Sequence, residues 1–236
     1  AAGKILRKDL RKMEEARRAV VHESPYDFTL QDADSTLTAF VLAQSEARAK
    51  SKDAAALVDG PSGRTITHGQ LGPMIRSCAA GLHARGLKKS EVVGILSPNL
   101  PEYAVAFHGA AVLGGVVTTL NPAYTQHEVA HQLRDSGASF LVTTRMFLAT
   151  AQAAAQSEGV GLRHIFLIDG DASDEAGGGA GACPVGTYAS LLGGGEGGLP
   201  TDAGPSADDV VAIPYSSGTS GLPKGVRLTH RNLVAN

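Results

Sequence analysis

The spacing of apolar and polar positions changes repeatedly between residues 91 and 168. Short apolar runs alternate with longer segments in which apolar residues recur every three or four positions, which predicts strands alternating with helices. Strands are predicted at 91–97, 116–120, 139–143 and 164–168, and helices at 102–113, 128–136 and 146–157. This alternation is typical of an α/β fold with a mostly parallel sheet flanked by helices and with right-handed crossovers.

The pattern before residue 91 predicts smaller elements. A surface helix is expected at 36–50, a hairpin at 55–59 and 64–67, and a helix that Thr67 caps and Gly86 ends. Residues 1–30 are interpreted as an N-terminal extension that is rich in Lys and Arg near its start. A short amphipathic helix at 1–20 is the alternative to a solvated terminus there. The remaining residues, 31–236, are predicted to belong to one domain.

Residues 170–209 interrupt this pattern because they hold a large share of the 29 glycines. The segment has too little apolar surface to offset the entropy of ordering it. It is therefore predicted to be a flexible surface insertion around one short helix at 187–192. Gly193, Gly195 and Gly198 match G-x-G-x-x-G, but no predicted strand precedes them and no helix follows, which argues against a dinucleotide site.

A loop dense in hydroxyls and glycine joins the apolar run 210–213 to an alternating run at 226–229. Residues 208–228 read DDVVAIPYSSGTSGLPKGVRL. Gly218 and Gly221 let the backbone approach a ligand closely. Successive amides in such a turn can form an anion-binding concavity, to which Lys224 adds a positive charge. A polyphosphate is the ligand that would use all of these groups.

This loop is not a Walker A loop, which requires G-x-x-x-x-G-K-[ST] at the start of a helix. Here Pro223 precedes Lys224, Gly225 follows it, and a strand-like run comes next. Ser216 and Ser217 lack His and acid partners and the G-x-S-x-G context of a hydrolase, so nucleophilic catalysis is not expected.

Composition and charge exclude several other classes. The formal net charge is -2, with 43% hydrophobic and 19% charged residues, so no basic excess indicates nucleic acid. No apolar run approaches the roughly 18 residues that cross a bilayer. The two cysteines, Cys78 and Cys183, make no disulfide framework, which fits a reducing compartment.

The histidines are weaker candidates for a site. His127 and His131 have i, i+4 spacing on a predicted helix, but no Cys or carboxylate constellation joins them, so solvated positions are favoured over a metal site. His230 follows the loop, and two interpretations stay open: it reaches a nucleotide, or it begins the next helix. The second is favoured.

The loop resembles the signature phosphate loop of the adenylate-forming enzymes, YSSGTTGLPKGV, with Ser220 where that family usually has Thr. The surrounding run ADDVVAIPYSSGTSGLPKGVRLTHRNLVAN is similar to the 4-coumarate-CoA ligase and luciferase-like acyl-CoA synthetase branch, and so is SPNLPEYAVAFHGAAVLGGVVTTLNPAYTQHEVAHQL. Arg227 stands where related members often have Met. Neither departure removes a donor from the loop. The similarity extends from about residue 55 to 236, and the glycine-rich segment interrupts it.

The resemblance implies that 31–236 is part of the AMP-binding N-terminal domain of an ATP-dependent carboxylate-CoA ligase. Such acid-thiol ligases join a carboxylic acid to AMP from ATP, and the thiol of coenzyme A then displaces AMP. The implied phosphate-binding residues are Ser216, Ser217, Gly218, Thr219, Ser220, Gly221 and Lys224, of which Lys224 is also the implied catalytic residue. The implied small molecules are ATP, CoA, Mg²⁺ and a carboxylic acid. The acidic residue that helps hold Mg²⁺ and the adenine and acyl pockets are expected downstream, so no metal ligand is assigned in this chain.

Residues 1–236 by themselves are expected to be inactive in the complete reaction. The alternative is a truncated, non-catalytic nucleotide-binding or interaction module. Luciferase-like and fatty acyl ligases are alternatives to a hydroxycinnamate ligase of phenylpropanoid metabolism, since the acyl pocket is not in view. A cytoplasmic or peroxisomal location is expected.

Overall fold

A central sheet of seven strands organises the described residues of the computed structural model. The structure describes residues 34–48, 51, 53–178, 182–194, 199, 204–216 and 223–236. All of them belong to one compact unit, Asp32–Asn236. The predicted N-terminal extension and its candidate helix lie outside the described residues.

Strands and helices alternate along most of this chain. The strands are β1 (Ala55–Val58), β2 (Thr65–Thr67), β3 (Val92–Leu96), β4 (Val116–Leu120), β5 (Ala138–Thr143), β6 (His164–Leu167), β7 (Val185–Thr187), β8 (Val210–Ala212), β9 (Tyr215–Ser216), β10 (Lys224–Gly225) and β11 (Leu228–Thr229). The helices are α1 (Leu37–Arg48), α2 (His68–Ala84), α3 (Pro101–Val112), α4 (Gln126–Ser136), α5 (Leu148–Ala155), α6 (Tyr188–Leu192) and α7 (His230–Ala235).

The central sheet has the strand order β11-β8-β4-β3-β5-β6-β7. Every neighbouring pair from β8 to β7 is parallel, and only β11 runs antiparallel to its neighbour β8. The predicted mostly parallel α/β sheet is therefore confirmed. Outside this sheet, β1 and β2 pair antiparallel as the predicted hairpin. None of the described helices is both long enough and apolar enough to cross a membrane.

Helices cover both faces of the sheet, and the pleat of β3 shows how. Val93 and Ile95 belong to one apolar cluster together with residues of α2, α3 and α6. Val92 and Leu96 belong to a second cluster with residues of α4 and α5. Successive side chains of a strand point to opposite faces, and helices cover both faces here. All of β3 is therefore buried, which explains its continuous apolar run.

Local sequence fixes the ends of helices α2 and α4. Thr67 and Thr125 form capping boxes with Gln70 and Glu128, so the first turns of α2 and α4 are satisfied by side chains. Helix α4 ends at Gly137, which has a φ of 67° that favours glycine.

The glycine-rich segment contributes two elements to the fold. Strand β7 adds to the sheet parallel to β6, and α6 follows it with Tyr188 and Leu191 buried. A Cβ at Gly81 would lie 2.1 Å from the backbone oxygen of Leu191, so glycine lets α2 and α6 approach this closely. Flexibility of the segment as a whole stays a prediction, since 179–181, 195–198, 200 and 201–203 lie outside the described residues.

Candidate functional site

The chain leaves the sheet at the end of β8 and returns to it at β11. Ala212 aligns with Val117 of β4, and the amide of Ile213 donates to the carbonyl of Val117 at 2.8 Å. The sequence predicted a simple strand, loop and strand here. The structure adds a short antiparallel ladder inside the loop, in which Ser216 faces Lys224 and Gly225 faces Tyr215. This ladder closes the base of the loop at 217–223.

Two of the predicted site residues lie at this base. Ser216 ends β9, Lys224 begins β10, and both are exposed. The side chain of Lys224 makes no hydrogen bond or ion pair with any residue that the structure describes, so its ammonium is uncommitted within that part of the chain. Ser217, Gly218, Thr219, Ser220 and Gly221 lie outside the described residues, so their role in phosphate binding stays a prediction.

Helix α4 supports the hairpin from one side. The hydroxyl of Tyr215 donates to the carboxylate of Asp135, near the end of α4. Burial raises the pKa of Tyr215, and the hydrogen bond to Asp135 raises it further. The tyrosine therefore stays protonated and able to donate. Sequence reasoning did not predict this pairing, because 80 positions separate the two residues.

A small, mainly apolar cavity of about 110 Å³ lies between α4 and the hairpin. Its walls are Tyr124, His127, Glu128, His131, Gln132, Tyr215 and Pro223. Among the described residues, His131 Nε2 and Gln132 Oε1 are buried without a hydrogen-bond partner. Polar atoms of α4 therefore line the same cavity as Tyr215 and Pro223, which flank the loop.

Residues 127–131 read HEVAH, which matches the H-E-x-x-H pattern of zinc proteases, and His127, Glu128 and His131 line the cavity. In that pattern the glutamate is a general base, but here Glu128 serves the helix cap. Its carboxylate accepts from the amide of Thr125 at 2.8 Å and from the hydroxyl of Thr125 at 2.7 Å. These bonds lower the pKa of Glu128, the backbone bond most strongly. No group of three or more His, Cys, Asp or Glu that could hold a metal gathers among the described residues.

His230 begins α7 and is fully buried. Its Nδ1 accepts from the amide of Leu37 at 3.0 Å, and burial lowers its pKa. Here the histidine begins a helix, as the favoured interpretation predicted, and ties α1 to α7. The hydroxyl of Thr229 caps α7 by accepting from the amide of Asn232 at 3.1 Å.

Comparison with known proteins gives a consistent result. A family model described as AMP-binding enzyme matches residues 44–236. The chain is 40% identical over 191 residues to 4-coumarate-CoA ligase 5 of Oryza sativa subsp. japonica, covering 81% of this chain and 32% of that protein. It is 39% identical over 195 residues to a 4-coumarate-CoA ligase of Pinus taeda, covering 78% of this chain and 32% of that protein. The chain thus spans about a third of the length of these relatives.

Solved structures share the fold. An anthranilate CoA ligase in complex with anthranoyl-AMP superposes with a TM-score of 0.70 at 22% identity, over 85% of this chain and 36% of that one. The inhibitor-bound N-terminal domain of FACL13 from Mycobacterium tuberculosis superposes with a TM-score of 0.65 at 27% identity, over 83% of this chain and 44% of that one.

Proposed function

Because the chain belongs to the AMP-binding enzyme family, we propose that it is the N-terminal portion of an ATP-dependent carboxylate-CoA ligase. The whole enzyme joins a carboxylic acid to AMP with release of pyrophosphate. The thiol of coenzyme A then attacks the acyl carbon, and AMP leaves. The likeness to 4-coumarate-CoA ligases supports a 4-coumarate-like aromatic acid as the substrate, with a fatty acid as the other candidate.

The observation that carries this proposal is the hairpin that follows β8. Its described residues, Tyr215, Ser216, Lys224 and Gly225, follow the carboxyl end of β8 beside the parallel strand β4, and open α/β sheets bind their ligands at such ends. Lys224 stands at the base of the loop at 217–223, exposed and without an ion-pair partner among the described residues. In this role the loop holds the β- and γ-phosphates of ATP, and Lys224 stabilises the charge that develops on the departing pyrophosphate.

The proposal assigns no residue of this chain to Mg²⁺, and it assigns the acyl and adenine pockets to residues outside the chain. A cytoplasmic or peroxisomal location stays a prediction.

The test is pyrophosphate exchange into ATP by the full-length protein, measured with a panel of aromatic and fatty acids. Lys224→Ala should lower kcat/KM for the exchange by about one to two decades, since a hydrogen bond to a charged group contributes about 1.5 to 3 kcal/mol. Arg227→Ala is the matched control. It removes the same charge three residues away, at another exposed position, and should leave the exchange within about twofold of wild type.

Two results would count against the proposal. Absence of acid-dependent exchange in the wild-type protein would reject the ligase assignment. Equal exchange in Lys224→Ala and wild type would reject the role of the lysine while leaving the family assignment in place.

A further inference from the structure

The carbonyl of Ile213 lies just before the hairpin, and a side chain holds it. Thr118, in the middle of β4, is fully buried, and its hydroxyl donates to the Ile213 oxygen at 2.8 Å. The next residue, Pro214, accepts from the amide of Val226 at 2.9 Å, which joins the entry of the hairpin to its exit. The position of Ile213 therefore affects both strands of the hairpin.

Gln132 of α4 forms a second hydrogen bond to the hydroxyl group of Thr118. Its Nε2 donates to Thr118 Oγ1 at 2.8 Å and to the carbonyl oxygen of Thr119 at 3.0 Å. Only 1% of Gln132 is exposed, so no solvent competes for these bonds.

The direction of each bond in this network is fixed by chemistry. The backbone oxygens of Ile213 and Thr119 can only accept. The hydroxyl proton of Thr118 must therefore point to Ile213, and the amide nitrogen of Gln132 must point to Thr118 and Thr119. The remaining oxygen of Gln132 is directed away from both bonds, and Gln132 lines the cavity that Tyr215 and Pro223 also line. The side chain of Gln132 thus borders the hairpin and, through Thr118, holds Ile213, the residue that precedes it.

We propose that Thr118 and Gln132 are positioning residues for the β9–β10 hairpin, which carries Lys224. They act through the backbone of Ile213, which leads into the hairpin. By holding that backbone they keep Lys224 where it meets the phosphates of a nucleotide without reorganisation. This proposal rests on the proposed function, and it predicts an effect on nucleotide affinity that is separable from an effect on folding.

The structure offers a matched control for Thr118. Thr143 is also fully buried in a strand of the same sheet, and its hydroxyl donates to the carbonyl of Leu96 at 2.7 Å. Thr118→Val and Thr143→Val therefore remove the same group, at the same burial, from the same kind of bond. They differ in two ways: only Thr118 holds the chain that enters the hairpin, and Thr118 also accepts from Gln132 Nε2.

In the full-length protein, Thr118→Val should raise KM for ATP in the pyrophosphate exchange reaction by about tenfold and leave KM for the acid unchanged. Thr118→Ser, which keeps the hydroxyl, should restore KM for ATP to within about twofold of wild type. Thr143→Val should also lower the melting temperature while leaving both KM values unchanged. Gln132→Met, which fills similar space without a donor, should reproduce the effect of Thr118→Val and serves as a second variant if Thr118→Val does not fold.

Amide hydrogen exchange at residues 213–225, measured without substrates, gives a readout independent of activity. Thr118→Val should speed this exchange, and Thr143→Val should not. If the wild-type protein shows no acid-dependent exchange of pyrophosphate, the proposed function fails, and the amide exchange alone decides the positioning role. Equal behaviour of Thr118→Val and Thr143→Val overturns the inference, and so does faster amide exchange with an unchanged KM for ATP in an active enzyme.

Discussion

At the scale of single residues, Gly225 shows that a glycine beside the loop is required by packing. A Cβ added there would lie 2.7 Å from Ile213 Cγ2 and 3.1 Å from two ring atoms of Tyr215. The ladder leaves little freedom, because Gly225 faces Tyr215 directly. The sequence explained Gly218 and Gly221 by close approach to a ligand. The sequence did not explain why position 225 is a glycine, since Ile213 and Tyr215, which a Cβ there would contact, are not adjacent to it in the chain.

Gly225→Ala should therefore displace the hairpin. We expect a loss of about 1 to 3 kcal/mol in the free energy of unfolding, which is typical when a side chain is forced into a packed site. We also expect a higher KM for ATP, since Lys224 is the adjacent residue. Urea unfolding and steady-state kinetics of the full-length protein measure the two effects. Gly60→Ala is the control, because nothing lies within 4 Å of a Cβ at Gly60. Indistinguishable results for the two variants would contradict this explanation.

At the scale of elements, the sequence predicted those that local pattern and capping specify. The observed bounds of β4 are those predicted, and Thr67 caps α2 as expected. Strand β7 was not predicted, because its three residues include Gly186 and form a strand through long-range pairing with β6. The β9–β10 ladder was not predicted for the same reason. Each strand of this ladder has only two residues, which is too few to show a periodic pattern in the sequence.

Helix α6 allows a test of how far the glycine-rich segment is structured. Leu191 is fully buried in the cluster that also contains residues of α2 and α3. Leu191→Ala should therefore lower the free energy of unfolding by about 2 to 5 kcal/mol, as truncation of a buried leucine does. Met146→Ala removes a similar side chain from a residue that is 78% exposed. It should change the free energy of unfolding by no more than about 0.5 kcal/mol. A Leu191→Ala variant as stable as Met146→Ala would show that α6 contributes nothing to the core.

At the scale of the whole molecule, the sequence predicts the candidate site but not the contacts that surround it. The loop at 217–223 stands out because consecutive residues carry its pattern. Thr118 and Gln132 do not stand out, because their importance depends on contacts with residues far along the chain, 95 positions away for Thr118 and Ile213. A threonine in a strand and a glutamine in a helix look ordinary until the fold places them under the hairpin. Conversely, the HEVAH run has the spacing of a metal site, while its glutamate is already used as a helix cap.

Acid should destabilise the folded protein through His108, which is partly buried. His108 hydrogen-bonds through Nδ1 to the hydroxyl of Thr38 at 3.0 Å, and burial, with a smaller contribution from neighbouring His230, lowers the pKa of His108 from 6.5 to about 4.

The sign follows from proton binding. Between the two pKa values the unfolded chain binds a proton that the folded chain does not, so stability falls as the pH falls through this window. Between about pH 7 and about pH 5 the loss attributable to His108 is about 2 kcal/mol, and this range lies above the usual titration of carboxylates. Urea unfolding at several pH values should show a shallower pH dependence for His108→Gln than for wild type. His127→Gln, at an exposed position, should retain the wild-type dependence. Parallel curves for His108→Gln and wild type would mean that His108 already carries its proton in the folded state at about pH 5.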